Sequence, residues 1–122
     1  MLMALQAGAS GISFTPVPGL LASDLLRWRP DFRVIEDPYR PGESVVLVPA
    51  IRPEFALLHG RRADLEGNVV IGTTYDDRLV AQASCHVVYS VETVQEQGTC
   101  SLAADEQVIP AAFVDALVLV RD

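Results

Sequence analysis

The sequence predicts an α/β fold in which a mostly parallel sheet is flanked by helices. Three stretches of strand length, residues 44–48, 55–59 and 85–91, are nearly continuous apolar runs. Buried parallel strands have this composition, because both of their faces are covered. Helical patterns at residues 20–28 and 76–83 each precede a predicted strand.

The N-terminal elements are predicted from local signals. Gly8 is expected to end the first helix. Pro16 and Pro18 impose an extended backbone, which favours a loop around them. Ser23 and Asp24 are candidate N-cap residues if the second helix starts late. In chain order we predict a helix over residues 1–7, a loop over 11–19, a helix over 20–28, a strand over 32–35 and a hairpin-like turn over 39–43.

The remaining elements continue the same alternation. The β-branched run before Val91 favours a buried strand, and Thr73, Thr74 or Asp76 is the expected N-cap of the helix ahead of it. We predict strands over residues 44–48, 55–59, 69–71, 85–91 and 116–120, a helix over 76–83, a loop over 95–105 and a turn or short helix over 111–115.

Composition excludes several classes of function. A chain of 122 residues is predicted to form one domain with a sizeable core. Half of its residues are hydrophobic and the mean hydropathy is +0.28, so part of the apolar surface is expected to face another subunit. The net charge of −7 argues against a nucleic-acid partner, which needs a basic face. All nine cationic side chains are Arg, which excludes Schiff-base and phosphate-loop Lys chemistry.

Cysteine usage and hydropathy indicate a cytoplasmic location. Cys85 and Cys100 have neither a disulfide framework nor metal-ligand spacing, so we expect two reduced thiols and no metal site. Residues 1–23 carry no charged side chain, but Gly and Pro interrupt them well below the ~20 apolar residues that a bilayer span requires. We therefore expect neither a membrane segment nor a signal peptide.

The richest polar motif is residues 61–68, with two guanidiniums, two carboxylates and an Asn between two apolar runs. Preceded by Pro49-Ala50-Ile51-Arg52-Pro53-Glu54, this motif resembles the A subunit of the two-subunit CoA-transferases of the glutaconate CoA-transferase type. Further motifs of that family are matched, in order and at similar spacing, by residues 7–17, 23–24, 34–39, 87–92 and 108–116.

The resemblance implies a single partial domain over residues 1–122, because an A subunit of the family is over twice as long. The Gly-rich loop whose amides face the thioester has no counterpart in this sequence. The catalytic Glu of the family usually lies in the B subunit, in a Ser-Glu-Asn-Gly-like setting that this sequence lacks. We therefore predict no catalytic residue here. The residues around Glu66 resemble those of the Ser-Glu-Asn-Gly-like motif but stand in another order.

The implied function is that of a protein which resembles the CoA-transferase A subunit, handles acyl-CoA thioesters and is inactive alone. Coenzyme A would be a substrate, and no cofactor is implied. The expected partner is a B subunit, in a homo- or hetero-oligomer. The alternatives are a non-catalytic scaffold or interaction domain, a hydrolase of CoA thioesters, and a small-ligand sensor.

Each candidate site residue has a structural alternative. Arg62 and Asp64 are predicted to bind a substrate carboxylate or CoA phosphate, or to brace their own loop. Asn68 is predicted in the same site, or as a turn residue with positive φ or a local side-chain bond. Two residues of the N-terminal half, Ser23 and Asp24, are predicted to border the acyl pocket, or to cap a helix. A histidine also lies at the end of the strand over residues 55–59, where ligand sites of open α/β sheets collect.

Overall fold

The computed structural model describes residues 1–73, 76–96 and 102–121. The chain divides into two units, Met1–Arg52 and Pro53–Asp122. Thr74, one of the predicted N-cap residues, and Cys100 lie outside the described residues.

The N-terminal unit is built on a three-stranded antiparallel sheet. Its strand order is β1-β3-β2. Ala4, Val46 and Val48 form the buried centre, against which Val17 and Phe32 pack. The elements are α1 (Leu2–Ala9), β1 (Phe14–Val17), α2 (Leu25–Trp28), β2 (Arg33–Glu36) and β3 (Ser44–Pro49).

Two predictions for this unit are wrong. The predicted loop over residues 11–19 contains strand β1, which lies at the edge of the sheet beside β3 and places Pro16 opposite Leu47. An edge strand tolerates Pro, because one side of the strand has no partner to receive an N–H. Strand β3 is antiparallel to both neighbours and not a buried parallel strand. The short connection over residues 37–43, which includes Gly42 (φ 86°), brings β3 back beside β2 and gives the pair its antiparallel orientation.

The helices of this unit also differ in their ends. Helix α1 continues through Gly8 to Ala9, so Gly8 does not end it. A Cβ on Gly8 would collide with the carbonyl oxygen of Ile51, and this close approach explains the glycine. Helix α2 starts at Leu25, later than predicted, and the Leu25 N–H donates to Ser23 Oγ at 3.2 Å.

The C-terminal unit contains a parallel sheet and a mixed sheet. The parallel sheet has the order β10-β7-β4 and the mixed sheet the order β8-β5-β6-β9. The predicted α/β class is therefore confirmed. The elements are β4 (Phe55–His59), β5 (Arg62–Asp64), β6 (Val69–Gly72), α3 (Asp77–Ala83), β7 (His86–Val91), β8 (Val94–Gln95), β9 (Glu106–Ile109), a 3₁₀ turn (Ala111–Phe113) and β10 (Ala116–Leu119).

Burial in this unit follows the alternation of the strands. Four residues on one face of the parallel sheet, Ala56, Val87, Tyr89 and Val91, are buried in the core. Strand β6 is buried at all four positions, as its apolar composition predicts. Asp115 connects β10 to β7: its carboxylate accepts the Val87 N–H at 2.7 Å and its N–H donates to the Val87 carbonyl at 2.9 Å.

Candidate functional site

The loop after β5 is held by the buried carboxylate of Asp64, which is 2% exposed. Asp64 Oδ1 accepts the backbone N–H groups of Glu66 at 3.0 Å and Asn68 at 2.9 Å. Asp64 Oδ2 accepts the Asn68 side-chain amide at 2.9 Å. Carboxylates that accept backbone N–H groups satisfy donors that the turn leaves unpaired. Asp64 therefore braces its own loop, which is the structural alternative stated above.

Asn68 extends this network to another segment. Its Oδ1 accepts the N–H of Ala111 at 2.8 Å, which ties the loop to the residues that precede β10. The positive φ expected at this turn belongs to Gly67 (φ 93°), and none of the described non-glycine residues has one. Of the two alternatives for Asn68, the positive φ is not observed, whereas a local side-chain bond is present, since the Asn68 amide donates to Asp64 Oδ2.

Arg62 lies two positions from Asp64 on the same strand, so both side chains leave the same face of β5. The Arg62 guanidinium donates to both carboxylate oxygens of Glu106, at 2.6 and 3.1 Å. Arg61 donates to Asp105 at 3.0 Å and lies 3.5 Å from Glu106. The hydrogen bond from Arg62 holds the pKa of Glu106 at about 2, far below its ordinary value of 4.5.

Ser23 and Asp24, the other two predicted site residues, belong to the N-terminal unit. Ser23 accepts the Leu25 N–H at the start of α2, and Asp24 occupies the N-cap position without a side-chain bond there. The Asp24 carboxylate is exposed, 4.0 Å from the Arg27 guanidinium. The Ser23 hydroxyl therefore accepts a backbone N–H just before α2, and the N-cap position itself belongs to Asp24.

A cleft opens at the carboxyl ends of the parallel strands β4 and β7. Its volume is about 340 Å³. Ligands of open α/β sheets bind at this end of the strands. Arg61 brings the start of the polar motif to this cleft. The lining residues are His59, Gly60, Arg61, Ile71, Gly72 and Glu92.

His59 is held in place by the neighbouring strand. Its Nδ1 lies 2.9 Å from Ser90 Oγ, and the Ser90 hydroxyl donates to the Leu58 carbonyl at 3.4 Å. The Nδ1 atom either donates to the serine hydroxyl or accepts from it, depending on the tautomer of the ring. This ring is an oriented hydrogen-bonding group at the mouth of the cleft.

A second cleft of about 320 Å³ adjoins the first, and His59 lines both. Its other lining residues are Leu57, Leu58 and Asp77. Burial raises the pKa of Asp77, and the neighbouring Asp76 carboxylate raises it further. Sequence analysis did not select Asp77 for the site. Its one signal is an acidic residue in the first turn of the helix that follows β6.

Within the described residues, no group of three or more His, Cys, Asp or Glu side chains could hold a metal ion. Nor does that part of the chain contain a helix that is long and apolar enough to cross a membrane.

The fold and motifs together place the chain among known proteins. The family model for coenzyme A transferase matches residues 1–119, and the chain belongs to that family. The A subunit of glutaconate CoA-transferase from Acidaminococcus fermentans is 30% identical over an alignment of 133 positions. That alignment includes 96% of this chain. The crystal structure of that enzyme superposes on 97% of this chain with a TM-score of 0.82.

Relatives with other activities are equally similar. The IpdA subunit of the cholesterol ring-cleaving hydrolase from Rhodococcus jostii is 32% identical over 75% of this chain, which matches 33% of the relative's own length. A crystallised variant of the decarboxylase AibA/AibB is 34% identical, with a TM-score of 0.81 over 98% of this chain. The chain spans 42% of the length of the glutaconate and decarboxylase relatives.

Proposed function

We propose that this chain is part of an A subunit that binds acyl-CoA thioesters and transfers coenzyme A together with a B subunit that carries the catalytic Glu. Membership of the family over residues 1–119 is the observation that carries the proposal. The A-subunit name of the glutaconate relative supports the choice of subunit. The chain spans only 42% of that relative's length, which supports the need for further polypeptide.

The proposed reaction proceeds through the partner's Glu. That carboxylate attacks the acyl-CoA carbonyl and expels CoA thiolate, which leaves an acyl-glutamyl anhydride. The thiolate then attacks the glutamyl carbonyl and releases the acyl carboxylate. Finally the acceptor carboxylate attacks the glutamyl-CoA thioester and expels the thiolate, which leaves a second anhydride. The thiolate then attacks the acceptor's carbonyl in that anhydride, which yields the new acyl-CoA and frees the Glu carboxylate. A carboxylate is a weak nucleophile, so the site must position it and stabilise the oxyanion with fixed donors.

This chain would contribute the cleft at the carboxyl ends of β4 and β7. His59 offers an oriented imidazole there, and Glu92 an exposed carboxylate. Arg62, Asp64 and Asn68 would shape the loop beside the cleft. For Arg62 to bind a substrate carboxylate directly, the substrate would have to displace Glu106. Ser23 and Asp24 remain predicted borders of the acyl pocket.

The test is co-expression with a candidate B subunit, followed by an exchange assay in which a labelled carboxylic acid accepts CoA from an acyl-CoA. We expect a stable complex and label in the thioester. His59→Gln is expected to lower kcat/KM, with Leu65→Ala as a control at an exposed position of the neighbouring loop. A stable complex without turnover would favour the scaffold alternative.

A hydrolase is the second candidate, because the IpdA relative is one and matches 75% of this chain. The two reactions differ in the fate of the acyl group. A ring-opened product formed from a cyclic acyl-CoA without an acceptor acid would indicate the hydrolase, whereas label in the thioester indicates transfer.

A further inference from the structure

Two adjacent arginines, Arg61 and Arg62, approach the same carboxylate but are held with different firmness. Arg62 makes a bidentate pair with Glu106, and the two side chains are 21% and 7% exposed. The Ala103 N–H also donates to Glu106, at 2.9 Å. Arg61 lies 3.5 Å from Glu106 and donates its hydrogen bond to Asp105, at 3.0 Å. Glu106 therefore pairs chiefly with Arg62, and Asp105 with Arg61.

The pair of Arg61 with Asp105 is much the more exposed of the two. The Arg61 side chain is 47% exposed and the Asp105 side chain 63%. An exposed ion pair contributes little to stability, because water screens its charges. Breaking a buried pair is strongly destabilising, because it leaves an uncompensated charge in the fold. A substrate oxyanion can therefore replace Asp105 at little cost, whereas replacing Glu106 would cost far more.

Arg61 also stands where a ligand would bind. It lines the cleft at the carboxyl ends of β4 and β7 and brings a permanent positive charge there. Its backbone N–H donates to the Val70 carbonyl at 2.8 Å. The carbonyl of Asp105 accepts the Thr73 N–H at 2.9 Å. Because the main chain is fixed on both sides of the pair, the two side chains can separate while the cleft keeps its shape.

We propose that Arg61 binds an oxyanion of the acyl-CoA substrate, which takes the place of the Asp105 carboxylate on the guanidinium. The proposal rests on the proposed function and assigns the anion contact to Arg61 in place of Arg62. A guanidinium presents a planar fork of N–H donors that matches a carboxylate or a phosphate. An acyl-CoA has two sources of such a group, the phosphates of CoA and a free carboxylate on the acyl chain.

The test is a binding titration of acyl-CoA thioesters with the chain and with its complex with the B subunit. Arg61→Gln should weaken binding at least about tenfold, because charge-assisted hydrogen bonds are lost. Asp105→Asn should tighten binding about threefold, because the neutral amide competes less well for the guanidinium. Misfolding cannot produce such a gain. The double variant should bind like Arg61→Gln, within about twofold, because Asp105 acts only through Arg61.

Arg29 and Asp31 form the matched control pair. They belong to the N-terminal unit, lie 2.7 Å apart and are 51% and 43% exposed, much like the pair under test. Arg29→Gln and Asp31→Asn change the net charge just as the test variants do. Each should alter the affinity for the thioester by less than about twofold.

Three thioesters identify the source of the oxyanion: acetyl-CoA, glutaryl-CoA and glutaryl-3′-dephospho-CoA. If Arg61 binds the acyl carboxylate, Arg61→Gln weakens the binding of both glutaryl thioesters and leaves that of acetyl-CoA unchanged. If it binds the 3′-phosphate, the substitution weakens acetyl-CoA and glutaryl-CoA alike and leaves the dephospho compound unchanged. Equal weakening of all three indicates the pyrophosphate.

Unchanged affinity of Arg61→Gln for all three thioesters would overturn the proposal, as would a wild-type protein that binds none of them. Asp105→Asn would overturn the exchange of partners if it failed to tighten binding, or tightened it equally with and without Arg61. The proposed function fails separately. Binding that depends on Arg61 without CoA transfer keeps the anion site and refutes the activity, whereas transfer with an unchanged kcat/KM in Arg61→Gln refutes the anion site alone.

Discussion

Exchanging the side chains of Asp64 and Asn68 tests whether the loop after β5 is a hydrogen-bonded unit. Asp64→Asn replaces the oxygen that accepts from Asn68 Nδ2 with an amide NH₂, so two donors face each other. Rotating the Asn68 amide by half a turn does not relieve this, because Asn68 Oδ1 would then no longer accept the Ala111 N–H. Asn68→Asp instead places two carboxylates at about hydrogen-bond distance. Hydrogen bonds to charged groups contribute about 1.5–3 kcal/mol each, so we expect each single substitution to lower the free energy of unfolding by roughly 2–3 kcal/mol.

The double variant restores the pairing of donor with acceptor. Asn at position 64 would accept the two backbone N–H groups and donate to Asp at position 68, whose second oxygen still accepts the Ala111 N–H. The double variant should therefore cost less than the sum of the single variants by about 2 kcal/mol or more.

Urea denaturation followed by circular dichroism measures these free energies, and hydrogen exchange of the loop and of Ala111 localises the effect. Glu66→Gln is the control, because it removes an exposed carboxylate from the same loop, and it should stay within about 0.5 kcal/mol of wild type. Additivity of the two single variants within about 0.5 kcal/mol would refute the network.

Three further predictions follow from single contacts. The pKa of Glu106 is about 2 in the folded protein against an ordinary value of 4.5, so its contribution to stability is complete above pH 4.5 and is lost as the pH falls towards 2. Glu106→Gln should flatten the pH dependence of the free energy of unfolding between these values. An unchanged pH profile would contradict this prediction. Gly8→Ala should lower stability by about 1–3 kcal/mol, because the methyl meets the Ile51 carbonyl, as thermal unfolding will show. The buried Tyr89 hydroxyl has no hydrogen-bond partner among the described residues, so Tyr89→Phe should leave the free energy of unfolding unchanged or raise it by up to ~1 kcal/mol in urea denaturation.

Strands β4 and β7 and helix α3 were predicted within one residue at each end, because each is a run of five or more residues with a clear apolar pattern. The prediction that β4 is a buried strand is wrong, since Phe55, Leu57 and His59 are exposed. Strands β5 and β8 have only three and two residues, too few for a periodicity, and they exist because each pairs with a strand distant in sequence. Such pairing is a property of the fold and leaves no local signal.

The site shows the same limit in a sharper form. The structure places Arg62 and Asp64 on one face of strand β5, a strand that sequence analysis did not predict. The partner of Arg62 is Glu106, 44 residues later, and no rule of local spacing could select it. The interpretation of the motif as a ligand site or as a brace depended on that partner.

The strongest motif residues are also those whose polar atoms are most occupied by the fold. Asp64, Asn68 and Asp115 all bond backbone N–H groups, and each joins segments that would otherwise leave buried donors unpaired. Two residues that line the cleft, His59 and Glu92, had only weak sequence signals, a His and a Glu at strand ends. Residues that bond each other to hold the fold must keep both their residue types and their spacing in the sequence. A residue that lines the cleft needs only to lie at the end of a strand. A motif of the first kind therefore identifies the family, and the chemistry has to be found beside it.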